Sequence, residues 1–182
     1  MDDRATPSLA RDRPVTSEAA PRLRDVRAED MDTIGTLNDE AVPHVNRLSR
    51  EQLEQFRCHA FYFRVVCDQG MVGGFLIGLT PDASYDSINF LWFRERYERF
   101  VYIDRIVVAP AFRRRGLGRW LYDDLATRAR PVASHLTCEV NVRPRNDTSL
   151  RFHERLGFIG VGEQDTEGGT KRVVLLARPL GP

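Results

Sequence analysis

Asp104-Arg105-Ile106-Val107-Val108-Ala109-Pro110, followed by Arg113-Arg114-Arg115-Gly116-Leu117-Gly118-Arg119, is the stretch on which the reading of this chain turns. Phe100 to Ala109 is the strongest strand pattern in the sequence, and Pro110 stops it. Leu117, Leu121 and Leu125 with Trp120 then mark an amphipathic helix. The order is strand, arginine-glycine turn, helix. Such a turn lets successive N–H groups converge on one concavity, and the helix start adds unpaired donors and a partial positive charge. Gly116 and Gly118 admit a ligand without Cβ interference, and the arginines add charge-assisted bonds to phosphate oxygens. Two familiar phosphate motifs fail here. A P-loop needs Lys and Ser or Thr where Gly118 is followed by Arg119 and Trp120, and the dinucleotide fingerprint needs a third glycine where Leu121 stands.

Outward from this stretch, Arg22 to Arg27 alternates as a short first strand and runs into a helix through Met31, Ile34, Leu37, Ala41 and Val45, limited by Pro43. Ser49 and Gln52 form a capping box for a second helix through Leu53, Phe56 and Cys58. Phe61–Asp68 and Val72–Thr80, separated by Gln69-Gly70-Met71, read as a hairpin. Ile88 to Arg99 has no clean period and supports no assignment. His135 to Val142 is a strand, and Asn146 to Leu156 a helix capped by Asn146 or Asp147 and ended by Gly157. Phe158–Val161 and Thr170–Arg178 close the fold as a strand pair across a turn near Glu167-Gly168-Gly169. The expected class is a single α/β domain over residues 21–182: a mixed, mainly antiparallel sheet of six to seven strands with helices on both faces. Residues 1–20, with alternating charge and two prolines, read as a disordered tail.

Composition narrows the function classes. The chain has 182 residues, 27 basic against 26 acidic side chains, and a formal net charge of +1, so no bulk electrostatic case for nucleic acid exists. No window approaches the apolar length of a membrane span, and the three widely spaced cysteines suggest neither a disulfide framework nor a zinc knuckle. A cytoplasmic protein without metal, nucleic acid or membrane partner is expected.

The Asp104 to Pro110 strand leading into Arg113-x-x-Gly116-x-Gly118 resembles the acyl-CoA motif of the GNAT N-acetyltransferase superfamily. Glu139-Val140, then Asn146, Ser149 and Phe152-His153-Glu154-Arg155-Leu156-Gly157-Phe158, resembles the second half of that pattern, and Arg27-Ala28-Glu29-Asp30-Met31 its opening. The similarity covers about residues 22 to 179. It implies a β-bulge near the end of the Phe100–Ala109 strand that splays it from the His135–Val142 strand. Pantetheine would pair with the main chain of Ile106, Val107 and Val108, and the CoA diphosphate would rest on the amides from Arg114 to Arg119. With Arg113, Asn146, Ser149 and Phe152, these positions make up the expected acetyl-CoA site.

Acyl transfer to an amine needs a neutral amine, a donor for the carbonyl oxygen and a proton for the departing thiolate. Glu139 stands where several relatives carry a base, and Asp104 on the facing strand is the second candidate. A backbone N–H near Val107 or Val108 would serve the oxyanion. Many relatives protonate the thiolate with Tyr; the matching position here holds His153, whose imidazole can take the role with a different pH profile. The activity expected is N-acetyl transfer from acetyl-CoA to a primary amine by direct attack in a ternary complex. Its alternative is a CoA-binding sensor without turnover, motivated by His153; a nucleic-acid binder using Arg113–Arg119 ranks third. The acceptor, a small-molecule or peptide amine, is not encoded in any interpretable segment. A homodimer is compatible with the family but no sequence feature fixes an interface.

Overall fold

The computed structural model describes residues 20–181; the expected tail lies outside them apart from its last residue. The element order is β1 (Arg22–Asp25), α1 (Met31–Glu40), α2 (Arg50–His59), β2 (Tyr62–Asp68), β3 (Met71–Leu79), α3 (Ile88–Arg94), β4 (Phe100–Val108), α4 (Leu117–Ala129), β5 (His135–Arg143), α5 (Asp147–Arg155), β6 (Ile159–Thr166) and β7 (Lys171–Pro179). One seven-stranded sheet runs β1-β2-β3-β4-β5-β7-β6, and only the β4–β5 pair is parallel. The expected class is what is observed.

Local chemistry explains the elements. Gln69 and Gly70 both have positive φ and Asp68 pairs with Met71, so the hairpin closes on two residues and Met71 belongs to β3. Ser49 Oγ accepts from the Gln52 amide at 3.1 Å while Gln52 Oε1 accepts from the Ser49 amide at 2.9 Å, which completes the capping box of α2. Ile88–Arg94, where periodicity gave no assignment, is a helix because Phe90 and Phe93 pack into the core beside Tyr102. β6 continues to Thr166 through polar residues, because it is an edge strand whose outward side chains meet solvent.

Each sheet face carries its own core. One face, here the front, packs Phe63, Phe75, Phe100 and Tyr102 under α1, α2 and α3. The back face packs Leu76, Val101, Leu136 and Cys138 under α4, and α5 joins the same core.

Candidate active site

Along β4 the side chains obey strict alternation until Asp104. Phe100 and Tyr102 face front, Val101 and Ile103 back; beyond it Val107 faces front and Ile106 back. The phase flips because Ile77 pairs with Arg105 while the next residue, Gly78, pairs with Ile103, so Asp104 is the extra residue of a bulge. The bulge thus lies in the middle of the strand, not near its end as expected. It sets Asp104 and Arg105 side by side on the front, with Arg105 Nε 2.6 Å from Asp104 Oδ2. It also coincides with the parting of the sheet: β4 pairs with β5 only over Phe100–Tyr102 and His135–Thr137. From Ile103 and Cys138 onward the strands separate.

The gap edge of β4 can be read from its other ladder. Ala109 donates to Gly73 O at 2.9 Å, and the two-residue alternation of an antiparallel pair turns Val107 towards β3 as well. Ile106 and Val108 therefore present their main-chain groups to the gap. This narrows the expected set, since Val107 has its N–H and C=O committed to β3. Gly74 permits the ladder: a Cβ there would lie 2.6 Å from Val107 O.

Past Pro110 the chain forms an open cradle. Arg114 and Gly116 are both left-handed, at φ 61 and 79, and Gly116 caps α4 without a side-chain bond. The first intrahelical bond runs from the Trp120 amide to Gly116 O, so the amides of Leu117, Gly118 and Arg119 point out of the helix start with no capping side chain. The four arginines are not equivalent. Arg113 Nε donates to Val108 O at 3.0 Å, and Arg115 lies 2.5 Å from Asp68, which is buried at the end of β2. Arg119 pairs loosely with Asp123, while no ion pair engages Arg114 among the described residues. Arg113 and Arg115 thus brace the loop, leaving Arg114 and Arg119 more available to an anion.

A cavity of about 1060 Å³ occupies the gap and is lined from both sheet faces. On its front wall the Tyr102 hydroxyl donates to Glu139 Oε2 at 2.7 Å, Asn89 of α3 bonds the same carboxyl, and Gln164 Nε2 donates to Asn89 Oδ1 at 3.1 Å. Burial, reinforced by the charge of Asp104, pushes the Glu139 carboxyl up to about 7 against the opposing bonds from Tyr102 and Asn89. Asp104 has both oxygens engaged, one by Arg105 and one by the Tyr85 hydroxyl. Arg105 in turn reaches Asn38 Oδ1 at 2.7 Å and Asn46 O at 2.9 Å, which ties the α1–α2 connection over the front mouth.

On the back wall, His153 is buried. Its Nδ1 lies 2.8 Å from Ser149 O, and its Nε2 lies 2.6 Å from the hydroxyl of Tyr122 on α4. Burial holds the imidazole below its ordinary range, hence neutral, and pushes the Tyr122 phenol up.

The family model described as the Acetyltransferase (GNAT) family matches residues 26–158. The chain belongs to the GNAT acetyltransferase family. Solved structures similar to this GNAT chain include Ard1 from Thermoplasma volcanium (17% identity, 90% of this chain and 100% of that one, TM-score 0.72). Also similar are yncA from Salmonella typhimurium with its cofactor acetyl-CoA (20%, 90% and 96%, 0.69) and the ribosomal-protein-S18-alanine N-acetyltransferase from Escherichia coli (17%, 89% and 95%, 0.67). No curated protein matches the chain. The coarse activity is acyl-CoA-dependent acetyl transfer.

The GNAT cradle fits acetyl-CoA on its own geometry: unspent amides face outward beside Gly116, whose Cβ position is open, and a strand edge presenting the main-chain groups of Ile106 and the N–H of Val108, whose carbonyl accepts from Arg113, leads from it into the cavity. Of the expected residues, Asp104, Glu139, Ile106, Asn146, Ser149 and His153 line that one cavity. Asn146 Oδ1 is spent on capping α5, accepting from the Ser149 amide at 3.1 Å. Phe152 packs between helices, and a Cβ on Gly118 would meet its ring at 3.3 Å, so its place in this GNAT domain is as a wedge behind the cradle. Sequence reasoning missed Tyr102, Asn89, Tyr85 and Tyr122. Tyr102 shares the front face with Asp104 by simple alternation, which was a legible signal; the others are set by tertiary packing.

Proposed function

We propose that this GNAT chain is an N-acetyltransferase that moves the acetyl group of acetyl-CoA to a primary amine by direct attack in a ternary complex, with Glu139 as the base. The observation carrying this reading is a carboxyl with an affinity for protons near neutrality, placed on the front wall of the gap between β4 and β5. Such a group takes a proton from an alkyl ammonium at pH 7 and releases it afterwards. Asp104 is the lesser candidate, because its oxygens are held by Arg105 and Tyr85. The outward amides of Leu117, Gly118 and Arg119 hold the diphosphate, the gap-side groups of Ile106 and Val108 align the pantetheine, and an N–H of that edge stabilises the oxyanion. Bound acetyl-CoA supplies an activated carbonyl and a thiolate leaving group.

The acceptor is a small-molecule or peptide amine. The similar E. coli enzyme is named for acetylating an alanine of a ribosomal protein, which supports a peptide amine as one class to test. A cytoplasmic location agrees with the finding that, among the described residues, no helix is long and apolar enough to cross a membrane. The test is thiol release from acetyl-CoA against panels of amino acids, polyamines and peptides. Amine-dependent release of CoA is the expected result. Binding of CoA without turnover on any amine gives the sensor instead, and no binding of CoA removes both.

A further inference from the structure

The front wall of the cavity holds a guanidinium that is buried, fixed and only partly used. Arg105 is 7% exposed and lines the cavity with Asp104 and Glu139. Its Nε donates to Asp104 Oδ2 at 2.6 Å, and its Nη1 spends both hydrogens, on Asn38 Oδ1 at 2.7 Å and on Asn46 O at 2.9 Å. Bonds to β4, to α1 and to the α1–α2 connection fix the plane of the group, and with it the direction of the third nitrogen. Nη2 donates to no described residue. Nor is it one of the sealed polar atoms that lack a partner, so it keeps an opening, and the open space at Arg105 is the cavity. The charge of Arg105 is already matched by Asp104, which favours a neutral oxygen over a carboxylate as the acceptor for Nη2. Lys171 and Arg47, also on the walls, pair with Glu167 and Asp39, while Asp82, Asp86 and Glu139 add negative charge to the same cavity.

Resting on the acetyltransferase reading, we propose that Arg105 selects the acceptor: its Nη2 donates to a neutral carbonyl oxygen attached to the carbon that bears the reacting amine, while that amine faces Glu139. The substrate class is an α-amino amide, whether an amino-acid amide or the first residue of a peptide. Such a molecule carries a cation and a carbonyl oxygen side by side, and the wall answers both, with Glu139 and Asp104 for the cation and Nη2 for the oxygen. The two sides lie close together, since the charge of Arg105 acts on the Glu139 carboxyl. A simple alkylamine or a polyamine offers no oxygen and leaves Nη2 to water. A free amino acid brings a full carboxylate to walls that already carry Glu139, Asp82 and Asp86. Asn38 and Asn46 act through Arg105: by holding Nη1 they aim Nη2 into the cavity.

The test is calorimetry on the CoA-saturated protein, which needs no turnover, with alaninamide, alanine, alanyl-alaninamide and sec-butylamine; the last keeps the amine-bearing carbon and lacks the carbonyl. Wild type is expected to bind alaninamide roughly tenfold tighter than sec-butylamine, the effect of one charge-assisted hydrogen bond, and to bind alanine more weakly than alaninamide. Arg105→Lys keeps a cation beside Asp104 but has no Nη2, and should bring alaninamide and sec-butylamine within about twofold of each other; in acetyl transfer the loss should fall on KM more than on kcat. Should Arg105→Lys fail to fold, Asp104→Asn with Arg105→Gln, which removes both charges together, takes its place. Tighter binding of alanyl-alaninamide than of alaninamide identifies a peptide and equal binding an amino-acid amide, and either supports the proposal. No preference in wild type, a preference that survives without the guanidinium, or alanine binding tighter than its amide overturns it. If the preference is found but acetyl-CoA is turned over with none of these amines, the acetyltransferase reading fails while the Arg105 contact stands.

Discussion

Glu139→Gln should separate the stability of the fold from its chemistry. Burial raises the native carboxyl from an ordinary 4.5 to about 7, so the folded protein resists ionising a group that ionises readily in the unfolded chain. The sign follows: the native state is least burdened below pH 4.5 and loses stability as pH rises through 7. At about 1.4 kcal/mol per pH unit the full loss is roughly 3 kcal/mol, a ceiling because the carboxyl retains partial access to the cleft. Gln keeps an oxygen for the Tyr102 hydroxyl and never ionises. Urea unfolding of both proteins at pH 4.5 and 8.5 gives a double difference in which constant packing effects cancel. The variant should gain about 1–3 kcal/mol on wild type over that range. Its acetyl transfer should fall at least 100-fold, and the rise of kcat/KM through pH 7 expected of wild type should be absent from the variant. A stability gap that does not change with pH would show that Glu139 is not held protonated by the fold. An unchanged acidic limb would take the base role from it.

Three further perturbations address the frame. Gly116→Ala has open space for its Cβ but demands a left-handed alanine, so the fold should lose about 1 kcal/mol in urea unfolding, and an unchanged midpoint would mean that the loop does not hold this residue left-handed. Gly74→Ala places a methyl 2.6 Å from Val107 O on rigid ladder backbone and should destabilise by about 1–3 kcal/mol in urea unfolding; an unperturbed midpoint would mean that β3 and β4 are not packed as described. Arg115→Ala leaves the buried Asp68 carboxylate without its cation and should cost about 2–4 kcal/mol, most of which Asp68→Asn in the same chain should restore; no recovery would assign the loss to the Phe112 contact instead.

The strand, cradle and helix at residues 100–129 were legible because each rests on local chemistry: alternation, a proline stop, glycines where φ is positive, and leucines at helical spacing. The same holds for the capping box of α2 and the Asn146 cap of α5, whereas Glu139 was singled out by its place in the resembled pattern and Asp104 by its facing strand. α3 was not legible, because its helix is specified by Phe90 and Phe93 docking against Tyr102, contacts that no window of residues 88–99 contains. The placing of His153 shows a different limit. Its motif position was readable, but which atoms of the ring remained available depended on Ser149 O four residues back and on Tyr122 thirty-one residues earlier.

The bulge at Asp104 joins these threads. A regular β4 would keep pairing with β5, and its alternation would send Arg105 to the back face, where α4 packs. The extra residue ends the pairing and reverses the phase, so one local irregularity both opens the gap and delivers Asp104 with Arg105 to the acceptor side. The reversal leaves the strand edge beyond it presenting Ile106 and Val108 to the gap. Deleting Asp104 should therefore do more than remove a carboxylate: it should re-register β4, turn Arg105 away from Asn38 and Asn46, and abolish CoA binding as well as turnover. Asp104→Asn, which keeps the chain length, should leave CoA binding within about twofold while lowering the proton affinity of Glu139, because the neighbouring negative charge is gone. If both variants bind CoA equally well, the gap is not held open by the bulge.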